Sequence, residues 1–426
     1  MYYITSLSNI LDTQENFKKD NQISTLTSAL YNHSIAKISK NPQARIDDVF
    51  SQEIPKLIEP LNQYKTGTCW LQAGLTMIST LAKKNGIEIV PSITYLMFYD
   101  KLERSVVFLH RMLEHNTSVK KIDERTMYHL LEEPICDGGT FSMFTFLIKK
   151  YGITTSESYP QTFQSKNSGQ LNRVIAQYLR QVSTQVTTEN IESHILKIHK
   201  IITMCLALPP THVRLYEKTN GITFSGSPNE LFRILNKFID IDSYLCLNHA
   251  PNKKVDMCVV FPTNNYQQMD QHKFYVQSIE DIKSACMMTL SLHIPVWFTA
   301  TVRGGADFSR KLMICDAVEY EKLFSIENSM SKEEMMNCRC IQPSHAMLLI
   351  GFNLDSHGKP ERWKVQNSWG KETAILSMSD EWFTKNVFEI AIPQECCGKK
   401  NNTVPVSIEY LKPWDLLSTV AENCLA

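Results

Sequence analysis

The order of helical and extended segments predicts an α+β protein. Helical hydrophobic patterns cluster in the first part of the chain, and runs of β-branched and aromatic residues dominate after about residue 290. Segregation of helices from strands, without regular alternation, is the α+β pattern. The chain has 426 residues, of which 43% are hydrophobic and 21% charged, so it can bury a sizeable core as an ordinary globular protein.

The clearest predicted helix covers residues 69–84. Its apolar or small positions repeat at helical spacing and share one face, namely Trp70, Gly74, Met77, Ile78 and Leu81. Gly86 lies where this helix should stop. Weaker helical patterns cover 24–40, 93–113, 141–151, 171–186, 191–206 and 229–238.

Strands are predicted for the later part of the chain. The segments are 294–302, 346–353, 362–369 and 388–392, each rich in β-branched or aromatic residues and bounded by turn residues. They predict a mostly antiparallel sheet or barrel. Short strand-like pieces also interrupt the helical patterns between about 165 and 290.

Charge and targeting signals point to a cytosolic protein. The 44 basic residues balance the 44 acidic ones, so net charge gives no support for a nucleic-acid partner. The first residues lack the pattern of a signal peptide, and the sequence has no apolar run of membrane-spanning length. We therefore expect a cytoplasmic location and no membrane partner.

The twelve cysteines do not predict a disulfide framework or a metal site. They are scattered through a long chain without a secretory signal, so most are expected to be reduced thiols. The close pairs Cys338/Cys340 and Cys396/Cys397 have C-x-C and C-C spacing, whereas zinc sites commonly use C-x-x-C. No metal and no cofactor is predicted.

One cysteine has the sequence context of a nucleophile. Cys69 opens the predicted helix, where the helix dipole and unpaired backbone N–H groups favour thiolate over thiol. Gly67 allows a tight turn into the helix. Gln63 precedes Cys69 by six residues, and its side-chain amide with the Cys69 N–H would form a two-donor oxyanion hole.

Two later segments supply candidate partners. His345 enters an apolar strand and would serve as the base of a thiolate–imidazolium pair. Asn367 begins an Asn-Ser-Trp-Gly run, and its amide carbonyl would orient the imidazole as the third member of a triad. Trp369 would cover that contact and exclude water, with Trp70 as a second supporting aromatic residue.

Each segment also has an ordinary structural interpretation. A lone buried cysteine is usually core, a histidine beside a strand is usually a hydrogen-bonded structural residue, and Asn-Ser-Trp-Gly can be a turn. The ordered combination of Gln63, Cys69-Trp70, His345 and Asn367 favours the catalytic interpretation.

These motifs resemble the papain superfamily, and more closely the bleomycin hydrolase and aminopeptidase C family. The cysteine-to-histidine separation far exceeds the roughly 130–150 residues of papain-type sequences, and this family carries an insertion there. Further similarities are Asp137-Gly138-Gly139, Asp380-Glu381-Trp382-Phe383, Pro413-Trp414-Asp415 and the final Leu425-Ala426.

The resemblance implies a papain-like fold with a helical N-terminal half, an antiparallel β-barrel-like C-terminal half and a helical insertion. The implied segments are an N-terminal extension (1–60), a helical half with the catalytic cysteine (61–165), the insertion (166–290), a β half with the catalytic histidine and asparagine (291–400) and a C-terminal arm (401–426).

The resemblance also implies a cysteine aminopeptidase that acts on peptides and assembles as a homohexameric ring. It assigns Asp137, Gly138 and Gly139 to substrate binding, and it places the carboxylate of Ala426 against the substrate's free α-ammonium group. Hydrolysis of amide-containing small molecules is a further implied activity. The alternatives are a papain-like endopeptidase and a catalytically silent scaffold.

Some positions depart from the family pattern. Thr68 precedes the cysteine in place of the usual residue, and Gln72 replaces a typically apolar one. Residues 371–376 lack glycine, and the arm after Asp415 is several residues longer than usual. The departures spare the triad but weaken the expectation about how the arm sits in the cleft.

Overall fold

The structure is a computed structural model. It describes residues 13–14, 16–55, 57–119, 121–217, 221–261, 266, 268–302, 305–326, 329–398 and 405–418. Ala426, the predicted terminal element of the arm, lies outside the described residues.

The helices fall mainly in the first two thirds of the chain, as predicted. They are α1 (Asn21–Asn32), α2 (Ile35–Ile38), α3 (Cys69–Lys84), α4 (Ile93–Thr117), α5 (Glu124–Glu132), α6 (Phe141–Tyr151), α7 (Phe163–Lys166), α8 (Gly169–Val182), α9 (Ile191–Leu206), α10 (Pro228–Ile239), α11 (Ile279–Ser291), α12 (Tyr320–Phe324), α13 (Lys332–Asn337) and α14 (Asp380–Asn386). The predicted bounds of α3, α6 and α9 are confirmed, and α4 runs one turn further than expected.

The strands are β1 (Gln52–Glu53), β2 (Val213–Glu217), β3 (Gly221–Gly226), β4 (Tyr244–Asn248), β5 (Met257–Val260), β6 (Lys273–Val276), β7 (Val296–Ala300), β8 (Leu312–Met313), β9 (His345–Leu354), β10 (Pro360–Gln366), β11 (Ile375–Ser379), β12 (Val387–Pro393) and β13 (Ser407–Tyr410). Strands β7, β9, β10 and β12 fall within or overlap the four segments predicted to be extended.

One sheet organises the molecule. Its order is β13-β5-β6-β4-β12-β7-β9-β10-β11-β8, with β1 paired to β9, while β2 and β3 form a separate hairpin. The pairs β12–β7, β7–β9, β9–β10 and β10–β11 are antiparallel, as expected for the C-terminal half. The expected barrel-like closure is not confirmed, because the strands of the described residues form an open path that ends at β13 and β8.

Helix α3 runs through the main hydrophobic core. Every residue from Cys69 to Ala82 is buried, because the helix packs against β7 and β9 on the sheet and against the neighbouring helices. An amphipathic pattern would have left one face in solvent, so α3 is a central helix rather than a surface one. Its N-terminus is thereby fixed beside the first residues of β9.

The segment 166–290 is built from both helices and strands. Helices α8 and α9 pack on α4 and form a second apolar cluster that includes Phe98, Leu179 and Ile202. Strands β4, β5 and β6 join the main sheet. Three of the strands in this region are therefore part of the central sheet, whereas β2 and β3 form the separate hairpin. The description of this region as a helical insertion does not include them.

The described part of the arm lies against the body of the protein. Strand β13 pairs in parallel with β5, and the Arg125 guanidinium lies 3.9 Å from the centroid of the Trp414 ring. Leu416 and Leu417 are buried in the main core. The arm is anchored as far as Ser418, and its last eight residues are outside the described part.

Candidate active site

Cys69 lies at the N-terminus of a helix and against the main sheet. Cys69 is the first residue of α3, so its thiol lies at the positive end of the helix dipole. The side chain is buried, and the Ala346 N–H donates to its sulfur at 3.4 Å. Because Ala346 directly follows His345, the sulfur lies against the start of β9.

His345 and Asn367 form the expected pair. The His345 Nε2 lies 2.7 Å from the Asn367 Oδ1, which fixes the hydrogen on Nε2 and leaves Nδ1 as the basic nitrogen. His345 Nδ1 is buried without a hydrogen-bond partner among the described residues. The Asn367 Oδ1 also accepts the Ser368 N–H at 2.8 Å, which fixes the amide in the orientation that the imidazole needs.

Trp369 covers the histidine, as predicted. Its ring stacks on the His345 ring with centroids 4.6 Å apart and planes inclined by 30°. Phe308 packs edge-on against the Trp369 ring, with the ring centroids 4.6 Å apart. This packing restricts the rotation of the imidazole and shields its contact with Asn367 from water.

Gln63 is held by the segment that carries Asn367. Its backbone N–H donates to the Ser368 carbonyl at 2.9 Å, and its side-chain Oε1 accepts the Ser368 hydroxyl at 2.6 Å. The Gln63 Nε2 donates to the Thr66 carbonyl at 2.8 Å. A primary amide has two N–H groups, and one of them makes this bond.

Trp70 and Gly139 are closely packed against each other. The Trp70 Nε1 donates to the Asp137 carbonyl at 2.7 Å. A Cβ atom on Gly139 would lie 2.3 Å from the Trp70 ring, so this position requires glycine for packing. The carbonyl of Gly138 accepts a hydrogen bond from the Arg104 guanidinium.

Asp137 is buried and has its hydrogen-bond partners within the protein. The carboxylate accepts the Gly67 N–H at 3.0 Å, the Lys101 ammonium at 2.5 Å, the Asn172 amide at 2.8 Å and the Ser168 hydroxyl. Burial alone would raise the pKa of Asp137, but the Lys101 charge and these hydrogen bonds outweigh burial and lower it.

The structure also contains a group of buried metal-ligand types outside this site. The ligand atoms of Cys246, His272 and Glu389 lie within 4.8 Å of one another. His272 Nε2 contacts the Glu389 carboxylate at 3.2 Å and His272 Nδ1 contacts the Ser142 hydroxyl at 2.7 Å, so hydrogen bonds account for both ring nitrogens without an ion. Of the cysteine pairs weighed as zinc ligands, Cys338 and Cys340 are exposed and Cys396 is buried.

Sequence reasoning missed several residues that surround the predicted ones. Ser368 was visible as the residue after Asn367, and only its contacts with Gln63 show its role. Lys101 and Phe308 carry no local signal, because the first lies inside α4 and the second contacts Trp369 from a distant turn.

The fold and this arrangement define the class of protein. A buried cysteine at a helix N-terminus, a histidine on the adjoining strand and an asparagine that orients the histidine are the groups of a papain-like thiol hydrolase. Among the described residues, no helix is long and apolar enough to cross a membrane.

Comparisons with known proteins identify the family. The model of the peptidase C1-like family matches residues 5–418. Aminopeptidase C of Listeria monocytogenes is 27% identical, with 92% of this chain and 93% of that protein covered. Aminopeptidase G of Lactobacillus delbrueckii is 26% identical over 98% of this chain and 100% of that protein. The crystal structure of PepW from Lactobacillus rhamnosis HN001 has the same fold, with a TM-score of 0.87, 23% identity and coverage of 99% of this chain and 100% of that one.

The chain therefore belongs to the peptidase C1-like family. It is a cysteine peptidase, a hydrolase, as the sequence motifs predicted.

Proposed function

We propose that this protein is a cysteine aminopeptidase that releases N-terminal residues from peptides through Cys69, His345 and Asn367. The observation that carries the proposal is the orientation of His345. Its Nε2 is hydrogen-bonded to the Asn367 Oδ1 at 2.7 Å, which leaves Nδ1 as the base. The next residue along the strand, Ala346, contacts the Cys69 sulfur.

The proposed reaction follows from this geometry. His345 accepts the thiol proton, and the thiolate attacks the scissile carbonyl. The Cys69 N–H and the second N–H of Gln63 stabilise the resulting oxyanion. The imidazolium then protonates the leaving amine, and a water molecule activated by His345 hydrolyses the thioester.

Restriction to N-termini is supported by the names of the relatives and by the arm. Several relatives are aminopeptidases. The described part of the arm is anchored by two buried leucines before Ser418. The proposal that the Ala426 carboxylate binds the substrate's α-ammonium group depends on the family resemblance.

Other parts of the proposal depend on the resemblance. They are hydrolysis of amide-containing small molecules, assembly as a homohexameric ring, a cytoplasmic location and the five segment boundaries. Substrate binding by Gly138 and Gly139 also stays a prediction. An endopeptidase with a displaced arm and a catalytically silent scaffold are the competing functions.

The test uses fluorogenic peptides in matched free-amine and N-acetylated forms. We expect the wild type to cleave the free-amine forms alone, and Cys69→Ala to cleave neither, because the nucleophile is lost. Circular dichroism of both proteins would check that the variant folds. Cleavage by Cys69→Ala would refute the assignment of the nucleophile, and an inactive wild type would favour the silent scaffold.

A truncated protein lacking residues 419–426 tests the arm in the same assay. This cut spares Leu416 and Leu417, whose removal would expose buried apolar surface. We expect the truncated protein to cleave N-acetylated peptides as well. Unchanged selectivity would contradict the role of Ala426 while leaving the triad intact.

A further inference from the structure

The segment before Cys69 is connected to a buried network of charged side chains. Lys101 is fully buried inside α4, and its ammonium contacts the Asp137 carboxylate at 2.5 Å and the Cys136 carbonyl at 2.6 Å. A buried charge is tolerated only when it is paired and hydrogen-bonded. Asp137 is the nearer of the two anions that compensate Lys101; the Asp100 carboxylate lies 3.5 Å from the same ammonium.

The other side of the Asp137 carboxylate faces the nucleophile. Its Oδ2 accepts the Gly67 N–H at 3.0 Å, two residues before Cys69. Its backbone carbonyl accepts the indole N–H of Trp70, the residue after Cys69, at 2.7 Å. Asp137 therefore contacts the chain on both sides of the nucleophile.

The same network holds the backbone next to Asp137. The Arg104 guanidinium donates to the Gly138 carbonyl, and Arg104 is itself paired with Asp100 at 2.7 Å. Tyr266 donates its hydroxyl to Asp100 at 2.6 Å. Two adjacent ion pairs on α4 thus fix the Asp137–Gly138 segment relative to the start of α3.

We propose that Asp137 is a positioning residue, which sets the place of the Cys69 sulfur by accepting the Gly67 N–H and is itself held by Lys101. This inference rests on the proposed function, because it concerns the geometry of the same nucleophile. It replaces direct substrate binding by the Asp137 side chain, whose oxygens are already occupied by groups of the protein and which is only 8% exposed.

The test must separate positioning from the cost of an uncompensated buried charge. A single Asp137→Asn change leaves Lys101 with only the more distant Asp100 carboxylate, which already pairs with Arg104, and could prevent folding. Both residues are therefore neutralised together. The variant Asp137→Asn with Lys101→Met keeps a side-chain oxygen that can accept the Gly67 N–H. The matched variant Asp137→Leu with Lys101→Met has the same number of side-chain heavy atoms and no acceptor.

We expect the Asn-containing double variant to retain kcat within a few-fold of wild type. In the Leu-containing double variant kcat should fall about ten- to a hundredfold at nearly unchanged KM, since a misplaced nucleophile costs rates of this order. The rate of Cys69 alkylation by iodoacetamide near neutral pH, followed by peptide mass spectrometry, should fall in parallel. The Leu-containing variant should melt at a lower temperature, because the Gly67 N–H, the Ser168 hydroxyl and the Asn172 amide lose their acceptor. The rates are therefore compared at a temperature at which both variants are folded.

Equal kcat and equal alkylation rates in the two double variants would overturn the inference. A rise of KM at constant kcat would also overturn it and would restore substrate binding as the role of Asp137. If the wild type hydrolyses none of the peptides, the proposed function fails, and the alkylation rates alone then decide the inference.

Discussion

At the scale of single residues, the site combines side chains from two parts of the chain, namely Gln63 and Cys69 from one and His345 and Asn367 from the other. The motif at each position predicted the chemical group, but the contacts between groups depend on the fold. Gln63 illustrates this point, because its amide is oriented by the hydroxyl of Ser368, more than three hundred positions away. A sequence pattern around Gln63 alone does not reveal that partner.

Asp137 shows how residue-scale reasoning fails. The Asp-Gly-Gly run suggested a segment that binds substrate. The Asp137 carboxylate is instead buried among protein groups that donate to it, from Gly67, Lys101, Ser168 and Asn172, which favours a positioning role over substrate binding. Lys101 lies within a helix whose other residues are largely apolar or charged, and no local pattern connects it to position 137. Such pairing is set by tertiary packing.

The oxyanion role of Gln63 leads to a residue-scale prediction. Gln63→Ala should lower kcat by about 10²–10³ with little change in KM, because one of two donors to the transition state is lost. The measurement is steady-state hydrolysis of a free-amine peptide. Ser368→Ala is the comparison variant. It removes the hydrogen bond that orients Oε1 and keeps both N–H groups of Gln63, so kcat should fall less than in Gln63→Ala. A Gln63→Ala enzyme with wild-type kcat would exclude the oxyanion role.

At the scale of elements, periodicity predicted the helices best where they are long. The bounds of α3, α6 and α9 follow directly from their apolar spacing and their terminal residues. Strand existence was also predictable, but strand order was not. The neighbours of β12 are β4 and β7, which lie on either side of a helix in the sequence, and only packing of both sheet faces selects that order.

The contact between α3 and the Gly138–Gly139 segment gives an element-scale prediction. Gly139→Ala should lower the free energy of unfolding by about 1–3 kcal/mol, because the new methyl group would overlap the Trp70 ring. Thermal or urea unfolding measures this change. Because Trp70 directly follows Cys69, Gly139→Ala should also cause a modest loss of peptidase activity.

The control for Gly139 is a glycine in open space. A Cβ atom on Gly169, at the start of α8, meets no atom within 4 Å. Gly169→Ala should therefore leave stability unchanged or raise it by up to about 1 kcal/mol, since alanine favours a helix over glycine. Equal destabilisation at both positions would show that Trp70 does not constrain Gly139.

At the scale of the whole molecule, the segment 166–290 could not be placed from its sequence. Helices α8 and α9 form a second apolar cluster with α4, whereas α10 and α11 pack in the main core and β4, β5 and β6 extend the sheet that carries His345. Because this segment contributes to two cores, neither its composition nor its turn residues mark where a separate domain would begin or end. The sheet is open for the same reason. Strands β4, β6, β5 and β13 continue it beyond β12, and among the described residues none of them pairs with β8 at the opposite edge.

The junction between this segment and the β half contains a buried lysine and a half-buried histidine. Lys332 of α13 contacts the His249 Nδ1 at 3.0 Å and donates to the Val387 carbonyl. Burial, with the nearby charges of Lys332 and Lys283, lowers the pKa of His249 from 6.5 to about 3. His249 is therefore neutral in the folded protein and acts as an acceptor.

This lowered pKa predicts how global stability depends on pH. Between about pH 6.5 and pH 3 the unfolded chain binds a proton at His249 that the folded protein does not, so stability falls as the pH decreases through this range. The slope from this group is at most about 1.4 kcal/mol per pH unit. Urea unfolding between pH 7 and pH 5.5, above the pKa values of ordinary Asp and Glu side chains, should show the beginning of the decline. His249→Asn keeps an acceptor for Lys332 without a titrating ring, and its stability should vary less with pH. His357→Asn, at an exposed position, should follow the wild type. Parallel pH profiles for wild type and His249→Asn would show that the junction does not keep this histidine neutral.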